Sequence, residues 1–478
     1  MGLYFLEDKI RYTQDTLNQI FKKYDKNIIN NKNKFTSIIT ESMQDDFRGS
    51  FIIQLIINEY DIDINTKNEE EIIDGIYYKY GIDKILIRSY LTVLLTSLRN
   101  DNLTSVELLD SLNKEINNIN NIKDYSQKPK TYHPQDSIEL SQIIFTLIKD
   151  NGYNCDLNCI DVSNIKNMDY LFSSRKGFRK FNGDISAWDV SNVKSMEGMF
   201  MNSIFNGDIS SWNVSNVEEM QKMFKSSCFD KDISTWDVSN VKNMESMFEN
   251  SVFNQDLSKW NVSKVQNMKK TFYLSYFNND ISNWNVSNVF TMKSMFDSSF
   301  FNKDISKWNV SNVKNMKKMF SYSVFNQDIS TWDVSNVKNM SGMFCKSCFN
   351  QDISTWNVSK VKNMSRMFDE SIFNKDISAW DVSNVKNMSE MFYSSYFNQD
   401  ISAWDVSNVE IMSSMFSLSK FNQDISKWNV SNVTNMEEMF SYSSFNKDIS
   451  NWNISKKTNI SNLFLFSSYS KKHPKQKQ

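Results

Sequence analysis

Apolar positions along this chain follow two rhythms. From about residue 154 onward they recur with a period of 24, and before that they fall at helical spacing. All twelve tryptophans keep the longer clock: Trp188, Trp212, Trp236, Trp260, Trp284, Trp308, Trp332, Trp356, Trp380, Trp404, Trp428 and Trp452. Phe181 opens a Phe-Asn column that ends at Phe445, and Asp184 opens an Asp column that ends at Asp448. Of 25 methionines, 21 fall in the columns of Met196 and Met199, so the period belongs to the core and not to tryptophan alone. The consensus is F-N-x-D-I-S-x-W-[ND]-V-S-[NK]-V-x-N-M-x-x-M-F-x-x-S-x.

One turn, Phe205 to Cys228, shows what this pattern predicts. Trp212 and Val214 alternate as a short strand with both side chains inward. Val217, Met220, Met223 and Phe224 then recur as one face of a two-turn helix, which Ser215 or Asn216 can cap. Together with Ile209 they give the apolar skeleton of a leucine-rich-repeat turn. A single turn cannot bury its own Trp, Met and Phe, so the turns must stack. The expected fold is α+β: a leucine-rich-repeat-like solenoid of about 13 short strand–helix turns, preceded by a small α-helical domain. At a strand spacing of about 4.8 Å it would form a rod or arc roughly 60 Å long.

The ends depart from the template as caps do. Ile160 takes the Trp column in the first turn, Arg175–Phe178 form a four-residue insertion, and Lys457, Ile460 and Leu463 replace core residues at the far end. Upstream, Ile10, Leu17, Ile20 and Phe21, and then Ile72, Ile73, Ile76 and Tyr77, sit near helical spacing; 84–98 and 104–117 also read as helices. The expected organisation is a helical domain over 1–120 and a linker over 121–136 containing Pro129 and Pro134. A capping helix over 137–153, begun by Asp136 or Ser137, then leads into the solenoid over 154–467 and a basic tail over 468–478.

The phrase FNQDISKWNVSNVTNMEEMF, Phe421 to Phe440, resembles the repeat of BspA-like leucine-rich-repeat surface proteins, a type also found in mycoplasma lipoproteins and giant-virus genomes. The resemblance covers about residues 154–467 and implies a non-enzymatic solenoid used for interaction, with adhesion roles in secreted members.

Composition narrows the function. Only 10 glycines and 3 prolines occur, so turns must be made by Asn, Asp and Ser. A net charge of −2 argues against a general nucleic-acid binder. No apolar run reaches the roughly 18–20 residues of a transmembrane helix. No secretory signal is readable at MGLYFLEDKIRY, which gives a cytoplasmic expectation, with a cell-surface or virion place as the alternative.

Candidate chemistry is sparse. Cys345 and Cys348 form a lone CxxC at variable repeat positions, and both histidines, His133 and His473, lie outside the repeats. The Asp184 column and the Asn/Asp column of Asp189 could hold calcium, but a ladder present in every turn is better explained by Asx turns and inter-turn bonds. The Asn-Val-Ser sequons follow from the template itself. The expectation is therefore no enzyme, no catalytic residue, no cofactor and no metal, with the Trp column as structural core. What remains is a protein-interaction scaffold whose protein or peptide ligand meets the residues before each Trp, notably Lys259, Asn283, Lys307, Lys427 and Asn451. A structural or adhesive surface protein is the alternative.

Overall fold

The computed structural model describes residues 12–13, 15–23, 32–43, single positions between 52 and 95, and then 130–474 and 476–477. The chain divides into two compact units, Met1–Pro129 with Ser203–Asn206, and Lys130–Asn202 with Gly207–Gln478.

In the first unit, 15–23 is helical and a second helix spans Lys32–Ser42. Leu17, Ile20 and Phe21 are buried, and Phe21 stacks on Phe35 with ring centroids 5.8 Å apart. Ile72, Ile73 and Ile76 are also buried and helical. The expected helix over 104–117 lies outside the described residues.

In the second unit, residues 130–133 fall within the stretch expected as linker but pair with the first turn. Thr131 N–H donates to Cys159 O at 2.8 Å, and Tyr132 bridges Ile160 in parallel. The helix Ser137–Asn151 follows. Its N-cap is Asp136, whose carboxylate accepts from the N–H groups of Ile138 and Glu139, and it buries Leu140, Ile144 and Ile148. Thereafter the repeats stack turn upon turn, each joined to the next by backbone hydrogen bonds.

The turn is not built as strand plus helix, and this corrects the α+β expectation. Among the described residues, the repeats hold one three-residue 3₁₀ helix and a two-residue strand, Ile454–Ser455. Trp212–Val214 makes no bridge to its neighbouring turns, and local acceptors take the donors around it. Asp208 Oδ1 accepts from Ser210 N–H, Ile209 O from Trp212 N–H, Asn213 Oδ1 from Ser215 N–H and Val214 O from Val217 N–H. The parallel bridges run instead along the column Asn167, Ser195, Glu219, Asn243, Asn267 and onward to Asn459.

The expected helix over Val217–Phe224 is a chain of overlapping turns. Alternate N–H groups cross to the next turn: Met220 to Asn243 O, Lys222 to Glu245 O, Phe224 to Met247 O and Ser226 to Glu249 O, at 2.7–3.2 Å. Those between them close local turns, Met223 to Met220 O, Lys225 to Lys222 O and Ser227 to Phe224 O. To keep this alternation Lys222 and Ser226 take positive φ, 59° and 50°. The same two positions repeat along the stack, occupied by Lys, Arg, Ser, Asn, Glu, Tyr, Leu and Phe, and by glycine at Gly198 and Gly342.

The core is made of in-register columns. From Trp188 to Trp452 every tryptophan is at most 3 % exposed, with the Ile, Val, Met and Phe columns as deeply buried. Each indole also staples two turns, since Trp308 Nε1–H donates to Ile281 O at 3.0 Å and Trp332 Nε1–H to Ile305 O at 3.0 Å. Equivalent rings step 5.7 Å between Phe224 and Phe248, 6.2 Å between Phe229 and Phe253, and 6.5 Å between Trp212 and Trp236. The hydrogen-bonded line steps by only about 4.8 Å.

At the far end, residues of the expected basic tail fold back. Gln476–Lys477 pair in parallel with Ile454–Ser455, and the His473 ring meets Phe464 edge-on at 4.8 Å.

Candidate functional site

Most polar columns are used by the fold. Each described Asp from Asp208 to Asp448 accepts, where its bond is resolved, from the N–H two residues on; Asp304 to Ser306 and Asp424 to Ser426 are examples. The Asn/Asp column does the same, as in Asp237 to Ser239 and Asn309 to Ser311. These serines hold the carboxyls of Asp237, Asp304, Asp333, Asp400 and Asp424 below the usual carboxylate range, by both hydroxyl and backbone N–H. Asn side chains bond turn to turn: Asn312 Nδ2 donates to Ser287 O at 2.7 Å. Asn302 Oδ1 accepts from Asn326 N–H, and Gln327 Nε2 donates to the same Asn302 side chain. The Asp and Asn ladders thus carry the Asx role set against calcium in the sequence reading.

The two cysteines of the CxxC are on different footings. Cys345 is buried, with Sγ 3.5 Å from Asp369 Oδ2, and burial together with Asp369 pushes its thiol up to about 12; Cys348 is exposed. Burial likewise raises Asp369, to about 6.

The residues singled out before each Trp share one exposed column. Lys259, Asn283 and Lys307 stand on consecutive turns, as do Lys427 and Asn451, separated by Thr331, Thr355, Ala379 and Ala403. The hydroxyl members serve the fold: Thr331 Oγ1 donates to Ser306 O at 2.8 Å and Thr355 Oγ1 to Ser330 O at 3.0 Å. This column lies beside the tryptophans, not on the bridged ladder, so it is not the strand face it was expected to be.

The ladder has its own outward columns, which sequence reasoning passed over. They are the residue between Val and Asn and, where it is charged, either residue between the methionines; Ser246, Ser294 and Ser341 are buried there. Charges there pair across turns: Lys269 Nζ lies 2.6 Å from Glu245 Oε1, and Lys386 Nζ lies 3.0 Å from Glu410 Oε1. One column inward, Lys225 Nζ lies 2.8 Å from Glu249 Oε1. Counting charge by column and turn, instead of over the whole chain, would have exposed them. Among the described residues no helix is long and apolar enough to cross a membrane.

Neither a curated protein nor a solved structure matches the chain. One family's pattern does, in overlapping stretches at 142–252, 220–306, 249–347, 297–396, 321–418 and 370–476. These stretches tile the repeats from end to end, and the chain belongs to the family described as "Mycoplasma protein of unknown function, DUF285".

Proposed function

We propose that the chain is a non-enzymatic interaction scaffold, a solenoid of the leucine-rich-repeat kind whose outward columns hold a protein or peptide ligand across several turns. One observation carries this reading. The framework is closed by the same inward and Asx columns in turn after turn, while the residue before Trp and the residues between the methionines change from turn to turn. Side chains that vary outside a fixed framework are what an extended recognition surface needs. The resemblance to BspA-like repeats supports the same reading, because that type uses its solenoid for interaction.

Selection of a displayed peptide library on the full chain tests it. Ligands should be enriched, and charge reversal of Lys259, Lys307 and Lys427 together should weaken those that meet the Trp-side column at least tenfold. No enrichment over a blank surface would contradict the proposal. So would binding that survives reversal of the exposed lysines on both faces.

A further inference from the structure

Across most of the ladder face, a charge on one turn meets its opposite on the next. One stretch breaks that rule. Between Phe290 and Lys362 the outward ladder columns carry Lys293, Lys314, Lys317, Lys318, Lys338 and Lys362 and no carboxylate. The lysines stand on adjoining rungs, since Lys338 N–H donates to Lys314 O and Lys362 N–H to Lys338 O, both at 2.9 Å. Lys293 and Lys317 are likewise one turn apart, with Lys293 O accepting from Lys270 N–H and Lys317 O from Ser294 N–H. Burial and the neighbouring Lys317, Lys269 and Lys270 lower the pKa of the Lys293 ammonium. Asp297, off the ladder columns and acting on Lys318 and Lys270, is buried, and that burial raises its carboxyl pKa.

Like charges set opposite each other destabilise a ladder. The fold has a ready remedy in the Lys269–Glu245 type of pair and does not use it here. The cationic stretch is also bounded. Glu218 and Glu245 precede it on the same columns, and Glu390, Glu410 and Glu437 follow it. A long polyanion running along the face would meet carboxylates at both ends. Four turns at about 4.8 Å make a stretch of about 15 Å, the length of four or five extended residues. An aromatic side chain stands in line with the lysines: Phe290 is 45 % exposed, and its carbonyl accepts from Lys314 N–H on the next rung.

We propose that this stretch is the docking surface for an acidic segment of a protein partner, an extended run of carboxylates with an apolar side chain to cover Phe290. The inference deepens the scaffold reading and rests on it. Fluorescence anisotropy with the full chain tests it, using a labelled ten-residue peptide that alternates glutamate with neutral residues and contains one leucine. The glutamine version of that peptide and a ten-nucleotide oligothymidylate are the rival probes. The glutamate peptide should bind and the glutamine peptide should not. Lys293→Gln, Lys314→Gln, Lys317→Gln and Lys338→Gln together should weaken binding at least tenfold, with the thermal midpoint unchanged or raised. Lys231→Gln, Lys303→Gln, Lys375→Gln and Lys447→Gln together change the net charge equally on another column and should leave binding as in the parent. Equal losses in the two variants, no binding of the glutamate peptide, or tighter binding of the oligonucleotide would each overturn the proposal. Library ligands that respond to Lys259, Lys307 and Lys427 would meanwhile leave the scaffold reading standing.

Discussion

At the scale of the residue, tryptophan serves this fold twice. Its ring fills the core, and its Nε1–H satisfies an Ile or Leu carbonyl of the preceding turn, as Trp308 does for Ile281. Trp308→Ala should therefore cost about 3–5 kcal/mol, the usual price of truncating a buried large aromatic. Trp308→Phe should cost less, about 0.5–1.5 kcal/mol, because the Ile281 carbonyl loses the indole donor and keeps the Trp284 N–H. Lys307→Ala, on the exposed neighbour, should stay within about 0.5 kcal/mol. Denaturant titration of the three variants checks the order, and a neutral Trp308→Ala would remove the column from the core. The positive φ positions make a second claim at this scale. Ser414 sits at φ 52°, where a side chain is strained and glycine is not. Ser414→Gly should raise stability, by up to about 1 kcal/mol. Loss of stability in the same titration would show that the strain is not there.

At the scale of the element, the Asx turn sets the response to acid. Carboxyls such as Asp304 and Asp424 are held below their ordinary range by the serines two residues on. Their contribution is complete above the ordinary carboxylate pKa and is lost as the pH falls through the lower folded values. Asp369 has the opposite sign. Burial lifts it to about 6, so its ionised form is disfavoured in the fold and protonation below that pH adds stability. The thermal midpoint should rise modestly from pH 7 to pH 5 and fall steeply below about pH 4. Asp369→Asn should reduce the rise, leaving the part that the likewise buried Asp297 contributes, and keep the fall; a rise as large as the parent's would assign it to another group.

The Asx turns were legible in the sequence, as were the period, the inward columns and the cap at Asp136, because each depends on residue type at fixed spacing. The path of the backbone between columns was not. Met220, Met223 and Phe224 fall inward at helical spacing, yet overlapping turns with Lys222 and Ser226 at positive φ place them inward as well. Glycine marks the Lys222 position only at Gly198 and Gly342 and never the Ser226 position, so the left-handed residues barely show in the sequence. The ladder was misplaced for a related reason: alternation at Trp212 and Val214 shows which side chains face in, not which N–H groups are free to pair. The charged columns on the ladder were missed because opposite charges cancel over the chain and separate only by turn.

At the scale of the whole molecule, the central claim is that the repeat region is one continuous stack in which any whole turn is dispensable and any fraction of a turn is not. Each turn is joined to its neighbours by the same bonds, so removing two turns lets equivalent columns meet again. Removing half a turn puts Trp308 in the place of Phe296 and Asp304 and Lys307 in those of Met292 and Met295, and it sets the Asx and ladder donors out of register with their acceptors. The measurement that tests this most directly is urea unfolding of the full chain lacking residues 277–324, beside the chain lacking 277–288. The first should unfold in a single cooperative transition, with a slope reduced in keeping with the surface lost. The second should show no cooperative transition in the repeat region. Equal behaviour of the two deletions would contradict the account.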